Sequence, residues 1–301
     1  RTRTDLKVQE PYRLDLESQG IVFPEVTHPE KSFYILSPEM DRAYDDTLAM
    51  LGDREKGLSY NRYRALQFLK TPELKAKYPN ADLLSGQLAA IMKTLLVKRL
   101  DSSFHAFRSS LRRFRDANAA MVAMFEKGRI FIAPEYNVSE YIREDREEEL
   151  IDVLTANMHI DNSITICSPD DFRDDYLEGL KRDQQILVKL CQDWDAFAGA
   201  GPEGDQDPKF DAFVGMFPRL FDSARNPTGK LIVFTESAET AAYLERRLAL
   251  AAPDRPALRV DSSNRKERQE VIRANFDANF EPKSLWRDDY PILVTTEVLA
   301  E

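Results

Sequence analysis

The stretch "KLIVFTESAETAAYLERRLALA" (residues 230–251) decides the fold of the second part of this chain. It opens with a short apolar run of the β type, passes through Thr235, Glu236 and Ser237, and continues as an amphipathic helix. The segments "PALRVDSS" (256–263), "RKERQEVIRANFDA" (265–278) and "YPILVTTE" (290–297) then repeat the pattern as strand, helix and strand. Strands that alternate with helices predict a parallel sheet with crossover helices.

Polar side chains follow each predicted strand at its carboxyl end. In open parallel sheets the loops at these ends line the ligand crevice, so we expect a ligand edge there. The residues at the three ends are Thr235, Glu236, Ser237, Asp261, Ser262, Ser263, Thr295 and Thr296. By pattern alone, these hydroxyls serve either as ligand contacts or as caps of the strands and of the helices that follow.

The region before the sheet reads as helical. Prolines at 11, 24, 29 and 38 mark residues 1–36 as an extended connector. Ser37, Pro38 and Glu39 predict a helix start, with a cap hydroxyl, a proline at the first helical position and an acid in the first turn. We expect a helical region over 37–198, including two acidic helices within 135–198. A linker over 199–208 and the α/β part over 209–301 follow, so the predicted fold class is α/β with a large all-α region.

The segment from Gly86 to Gly128 is predicted to form one long helix. Apolar residues recur along it at steps of three and four, at Leu96, Leu100, Phe104, Phe107, Leu111 and Phe114. Arg108, Arg112 and Arg115 share another face. This face is either an ordinary solvated surface or a surface that tracks nucleic-acid phosphates.

Charge is distributed unevenly along a chain whose formal net charge is −10. Residues 86–115 carry seven basic residues and one acid (net +6), whereas residues 135–211 carry seven basic residues and 21 acids (net −14). Charge therefore excludes a generally basic nucleic-acid-binding protein but leaves a local basic surface. Two cysteines and three histidines, all scattered, predict neither a zinc site nor a disulfide framework.

No apolar stretch reaches the roughly 20 residues that span a bilayer, and the N-terminus lacks the apolar segment of a secretory signal. We therefore expect a cytoplasmic protein without a membrane partner.

Three segments in the right order resemble the second RecA-like domain of bacterial Swi/Snf-like superfamily-two helicases. "KLIVFTESAETAAYL" resembles motif IV of that family, "SSNRKERQEVIRANF" the turn and helix after it, and "ILVTTEVLAE" motif V up to its usual glycine. "RTRTDL", "FPEV" and "MKTLLVKRLDSSFHAFRSSLRRF" resemble the connector and the helical insertion between the two motor halves. The family continues beyond motif V, so the resemblance implies an internal part of a longer protein. We expect the open edge of the three-stranded sheet to be disordered, paired with a neighbour, or completed by chain beyond Glu301.

The resemblance implies part of an ATP-dependent DNA translocase or helicase that moves on double-stranded DNA, with ATP and Mg²⁺ as cofactors of the complete protein. In the family, motifs IV and V contact the sugar-phosphate backbone, which gives Thr235, Ser237, Thr295 and Thr296 as candidate nucleic-acid-binding residues. Arg265 and Arg268, in the first turn of a helix, and Arg108, Arg112 and Arg115 are further candidates. These 301 residues contain no G-x-x-x-x-G-K-[ST] loop, so we expect no catalytic, cofactor or metal site here and no ATP hydrolysis by the isolated chain.

An alternative function belongs to a different class. The same sequence is compatible with a non-catalytic helical adaptor that carries an α/β half-domain and binds a protein partner through the acidic helices of 135–195.

Overall fold

The computed structural model describes residues 10–20, 28–53, 55–78, 80–132, 165–199 and 204–299. Helices make up most of it. The α-helices and strands, in chain order, are α1 (Glu10–Ser18), α2 (Pro38–Gly52), α3 (Pro72–Lys77), α4 (Ala81–Ser102), α5 (Phe104–Glu126), β1 (Ile130–Ile132), β2 (Thr165–Cys167), α6 (Asp174–Asp195), α7 (Pro208–Gly215), α8 (Phe217–Leu220), β3 (Leu231–Phe234), α9 (Ala238–Ala251), β4 (Ala257–Val260), α10 (Arg265–Phe276) and β5 (Ile292–Thr295). A 3₁₀ helix spans Asn61–Phe68. The prediction that residues 1–36 are an extended connector is wrong over α1, because Pro11 lies in the first turn of this helix, where proline is tolerated.

The predicted helix start at Ser37 is confirmed. The Ser37 side chain accepts a hydrogen bond from the Met40 amide at 3.2 Å, and Pro38 occupies the first position of α2. The cap satisfies an amide that has no partner within the helix, and proline costs nothing where no donor is needed.

The prediction of one continuous helix from Gly86 to Gly128 is wrong, because the chain breaks at Ser103. This residue is extended (φ −160°, ψ 133°); its amide closes α4 on the Arg99 carbonyl, and its hydroxyl accepts from the Ala106 amide to open α5. Serine side chains compete for backbone amides in this way. The apolar stripe survives the break: Leu96, Leu100, Phe104, Phe107, Leu111 and Phe114 are all buried.

The main core of the helical part forms around Trp194 of α6. Its ring is fully buried, its Nε1 donates to the Thr47 hydroxyl at 2.8 Å, and its ring centre lies 4.9 Å from that of Phe104 and 5.3 Å from that of Phe107. A second cluster packs the aromatic rings of Phe68, Phe125, Phe172 and Tyr176. Helix α6 confirms the predicted helical pattern of the acidic segment that ends near Phe197.

The region between α5 and α6 contains one pair of strands that the sequence did not predict. Strands β1 and β2 form a short antiparallel pair, in which Phe131 lies opposite Ile166. Three-residue strands are too short to show a period of two in the sequence. The predicted acidic helix over 139–154 lies outside the described residues.

The parallel sheet predicted for the last part is confirmed. Its strand order is β3-β5-β4, with Leu231 and Ala257 both opposite Ile292. Helix α9 covers one face, where Ala241 and Leu248 pack with Ile292 and Val294. Helix α10 covers the other face beside Leu258 and Leu293.

Strand β5, the last strand, is the central one. Strands β3 and β4 are the two edges of the sheet that the structure describes, and on β3 the side chains of Ile232 and Phe234 are 48% and 55% exposed. Across the part of the chain that the structure describes, every helix is too short or too polar to cross a bilayer.

Candidate nucleic-acid interface

The carboxyl ends of the three parallel strands lie side by side, as the sequence predicted. The Thr235 amide donates to the Thr295 carbonyl at 2.9 Å, and the Thr296 amide lies 3.4 Å from the Val260 carbonyl. Asp261 follows directly and organises the next turn, accepting from the amide and hydroxyl of Ser263. The fold thus brings together Thr235, Thr295, Thr296 and the turn after β4.

The two threonines of the central strand end are buried rather than presented to solvent. Thr295 is fully buried and donates its hydroxyl to the Thr296 carbonyl at 3.1 Å. Thr296 is 3% exposed, and its hydroxyl has no hydrogen-bond partner among the residues that the structure describes. An unpaired buried hydroxyl is costly. Because both side chains are buried, neither threonine is accessible to a ligand in this arrangement.

Ser237 is the N-cap of α9. Its hydroxyl accepts from the Thr240 amide at 3.2 Å and also from the Arg99 guanidinium of α4, and the residue is 2% exposed. The sequence left open whether Ser237 contacts a ligand or caps a helix, and in this structure it caps α9.

Thr235 is half-buried and belongs to a cluster of three hydroxyls. Its Oγ1 lies 3.3 Å from the Ser102 hydroxyl, which in turn lies 3.0 Å from the Thr240 hydroxyl. The Ser237 amide donates to Thr235 Oγ1 at 3.4 Å. The end of α4 is thus in direct contact with the loop between β3 and α9.

A cavity of about 500 Å³ opens beside this cluster, between the end of α4, helix α7 and strand β3. Ser102, Thr235 and the exposed Lys98 and Lys209 contribute to its lining. Lys209 donates to the Asp101 and Ser102 carbonyls at 2.6 and 3.3 Å. The volume lies within the range of small-molecule sites.

Acidic groups also line the cavity. Glu236 is exposed next to Thr235. Asp101 accepts the Tyr44 hydroxyl at 2.7 Å; burial, and secondly this hydrogen bond, raise the pKa of Tyr44. Asp207 accepts the Tyr243 hydroxyl at 2.8 Å, and burial with the nearby Asp207 charge raises the pKa of Tyr243. Both tyrosines therefore stay protonated donors that hold a lining carboxylate.

The helical part and the sheet meet along a polar contact surface, which we call the seam. On the helical side it comprises Arg99, Ser102, His105, Arg108, Ser109 and Arg113, and on the sheet side Asp205, Lys209, Thr235, Ser237, Glu239 and Thr240. At its centre, Glu239 accepts from Ser109 at 2.6 Å and from both terminal nitrogens of Arg113 at 3.1 and 2.9 Å.

Arg108 lies in the seam, so the prediction that it shares an exposed face with Arg112 and Arg115 is wrong. It is 5% exposed and pairs with Asp205, which also contacts His105 at 3.1 Å. The sequence pattern revealed the bases of one helix but not the acid that the chain supplies from 97 residues away.

Arg112 and Arg115 lie nearer the surface, and each has an acidic partner. Arg112 pairs with Asp195 of α6 at 2.5 Å, and Arg115 with its neighbour Asp116 at 2.8 Å. Much of the positive charge counted along this segment is therefore balanced within the molecule.

The two arginines of α10 differ in their contacts. Arg265 is exposed at the start of the helix, beside the strand ends. Arg268 donates to the Arg259 carbonyl at 2.6 Å and lies 4.0 Å from Glu245. Arg268 is thus engaged within the sheet part, whereas Arg265 faces solvent.

Sequence reasoning did not single out Lys98, Ser102 or Lys209 as site residues. The sequence signal that could have identified Ser102 is the polar run Asp101–Ser103, which interrupts the apolar pattern of the helix. The helix breaks at this run, and the break places Ser102 beside the end of β3. For metals, the described residues contain no group of three or more His, Cys, Asp or Glu side chains that could hold an ion.

Comparison with protein-family models, curated proteins and solved structures finds no match for this chain.

Proposed function

We propose that this chain is part of an ATP-dependent DNA translocase, and that the cavity beside Thr235 binds the sugar-phosphate backbone of DNA. One observation carries the proposal: a hydroxyl at the carboxyl end of a parallel strand opens onto a cavity flanked by Lys98 and Lys209. The sequence resemblance to motifs IV and V supports the same assignment.

The chemistry of the cavity suits a backbone contact. Neutral hydroxyl donors hold phosphate oxygens without reading bases, as a motor that moves over any sequence requires. Lysines supply the sequence-independent electrostatic attraction. Glu236 opposes this attraction at short range and keeps the contact weak enough to be released, which repeated stepping needs.

The cofactors that this proposal implies are ATP and Mg²⁺. These 301 residues carry no phosphate-binding loop of the Walker type. We therefore propose that nucleotide is bound by other parts of the complete protein, while this chain contributes the DNA contact and the helical insertion.

The proposal is tested by fluorescence anisotropy with a labelled 30-base-pair duplex, titrated with the purified chain at several salt concentrations. We expect binding that weakens as salt rises and is independent of base sequence. Thr235→Val should lower the affinity roughly tenfold, as expected for a lost hydrogen bond to a charged group. The matched control is Thr94→Val, on the exposed face of α4 one turn from Lys98 and outside the cavity lining. No binding at low salt, or equal effects of both substitutions, would overturn the proposal.

The adaptor function is a second candidate because of two exposed apolar side chains. Phe33 and Ile35, which precede α2, are 82% and 89% exposed, and large exposed apolar groups mark protein-binding surfaces when they cluster. The same titration separates the two functions, because an adaptor predicts no salt-dependent affinity for DNA.

A further inference from the structure

We infer that Ser102, at the end of α4, is a positioning residue that directs the hydroxyl proton of Thr235 into the cavity. The inference rests on the proposed function, since it specifies how the helical part prepares the strand end for a phosphate oxygen. Ser102 belongs to the helical part, 133 residues away from Thr235 in sequence.

The cluster of three hydroxyls has a limited number of protons to donate. Each hydroxyl has one proton to donate and two lone pairs that accept. Ser102 contacts two hydroxyls, those of Thr235 and Thr240, so it can donate to only one of them. The remaining contact must be one in which Ser102 accepts.

The Ser237 amide limits what Thr235 can do, because it takes up one of the two lone pairs of Oγ1. Thr235 Oγ1 already accepts from the Ser237 amide. When Ser102 also donates to it, both lone pairs of Thr235 are used and its own proton must point elsewhere. The cavity is the open side of Thr235. In the inferred order, in which Thr240 donates to Ser102 and Ser102 to Thr235, the chain of hydrogen bonds ends in a donor that faces the space where a ligand would lie.

This donor matches the ligand class. A phosphodiester offers only acceptor oxygens at neutral pH. A Thr235 hydroxyl that donates its hydrogen bond to Ser102 presents only a lone pair to the phosphate, whereas one that accepts from Ser102 keeps its own O–H free to donate to it. In the inferred order, the Ser102 contact leaves Thr235 as the hydrogen-bond donor at the strand end.

The position of Ser102 is fixed by contacts on both sides. Arg99, one turn earlier on α4, donates to Ser237, and Lys209 of α7 donates to the Ser102 carbonyl. Farther along the seam, Arg113 holds Glu239 through two hydrogen bonds. Paired Glu239 places less negative charge at the start of α9, which lowers the repulsion that an approaching phosphate meets.

The test compares Ser102→Ala, Ser102→Thr, Thr235→Val and the Ser102→Ala/Thr235→Val double variant in the duplex titration. We expect Ser102→Ala to weaken binding about fivefold to tenfold without changing the salt slope, because no charge is removed. Ser102→Thr, which keeps the hydroxyl, should stay within about twofold of the unaltered chain. The double variant should bind like Thr235→Val alone, because Ser102 acts through Thr235. Additive losses, or no rescue by threonine, would overturn the inference.

A second measurement separates this inference from the proposed function. Hydrogen exchange of a peptide covering residues 235–241, without DNA, should speed up several-fold in Ser102→Ala and remain unchanged in Ser102→Thr. If the chain fails to bind DNA, the proposed function falls while this exchange result still decides the positioning role. Unchanged exchange in Ser102→Ala would overturn it.

Discussion

The two parts of the molecule are each held by apolar cores, whereas the seam between them is held by hydrogen bonds, ion pairs and the stacked rings of His105 and Tyr243. In the helical part, Trp194 is packed among aromatic rings. In the seam, Glu239 is held by Arg113 and Ser109, and Asp205 by Arg108 and His105. Apolar burial holds each part whatever its neighbour does. The polar seam instead fixes their relative geometry and responds to charge.

This difference indicates that substitutions in the seam, rather than in the cores, can change how the two parts are positioned. Interfaces between domains of one chain resemble transient protein interfaces and permit relative motion unless they are large and apolar. The seam lies next to the strand ends, so movement of the helical part would change the contact between Ser102 and Thr235 and with it the hydrogen bonds of the Thr235 hydroxyl. The cores can be weakened without touching the cavity, and the seam can be altered without unfolding either part.

The largest expected effect lies in the core. Trp194→Ala should destabilise the chain by about 3–5 kcal/mol, because it leaves a large cavity and removes the indole N–H that donates to the buried Thr47 hydroxyl. Urea denaturation followed by circular dichroism measures it. The control is Trp286→Ala, whose side chain is 45% exposed and outside the apolar cores. Similar losses for both tryptophans would contradict the central role of Trp194.

The buried member of the seam comes next. Arg108→Ala leaves Asp205 without its guanidinium partner in a site that is 5% exposed, which should cost about 3 kcal/mol. Arg112→Ala, four residues along the same helix, removes a pair whose members are 47% and 42% exposed and should cost less than about 1 kcal/mol. Urea denaturation of the two variants side by side checks this. Equal costs would mean that the seam is no more than a solvated surface.

The smallest expected effect concerns the acid beside the cavity. Glu236→Gln removes a negative charge next to Thr235 and should strengthen binding to duplex DNA about threefold at low salt, with a smaller gain at high salt. Anisotropy titrations at two salt concentrations measure it. Glu297→Gln, also exposed at a strand end but outside the cavity lining, is the matched control. A loss of affinity in Glu236→Gln would place the DNA elsewhere.

The elements of the sheet could be predicted because each strand and helix has a pattern of residues within its own segment of sequence. The alternation of period across 230–297 gave the strands, their helices and their parallel direction, and Ser37 gave a helix start. Elements without such a pattern within their own segment were not predicted. The break at Ser103 depends on one residue capping in two directions, and three-residue strands such as β1 carry no readable period.

The site was predictable only in part. Residues at the ends of strands could be grouped from topology, but their burial could not, so Thr295 and Thr296 were expected at the surface edge and lie inside it. Contacts between residues about 100 or more positions apart, such as Arg108 with Asp205 and Ser102 with Thr235, leave no trace in periodicity. The resemblance to helicase motifs IV and V remains a prediction.

The central claim, that DNA lies at the seam cavity rather than along the outer face of α5, is tested most directly by the salt dependence of duplex binding. The comparison is between Lys98→Ala, at the cavity, and the Arg112→Ala/Arg115→Ala double variant, on the outer face. We predict that Lys98→Ala flattens the log–log salt slope by about 0.9, the value for one lost phosphate contact. The double variant should leave the slope unchanged, because Arg112 and Arg115 lie outside the cavity lining. A flatter slope in the double variant, with none in Lys98→Ala, would contradict the account.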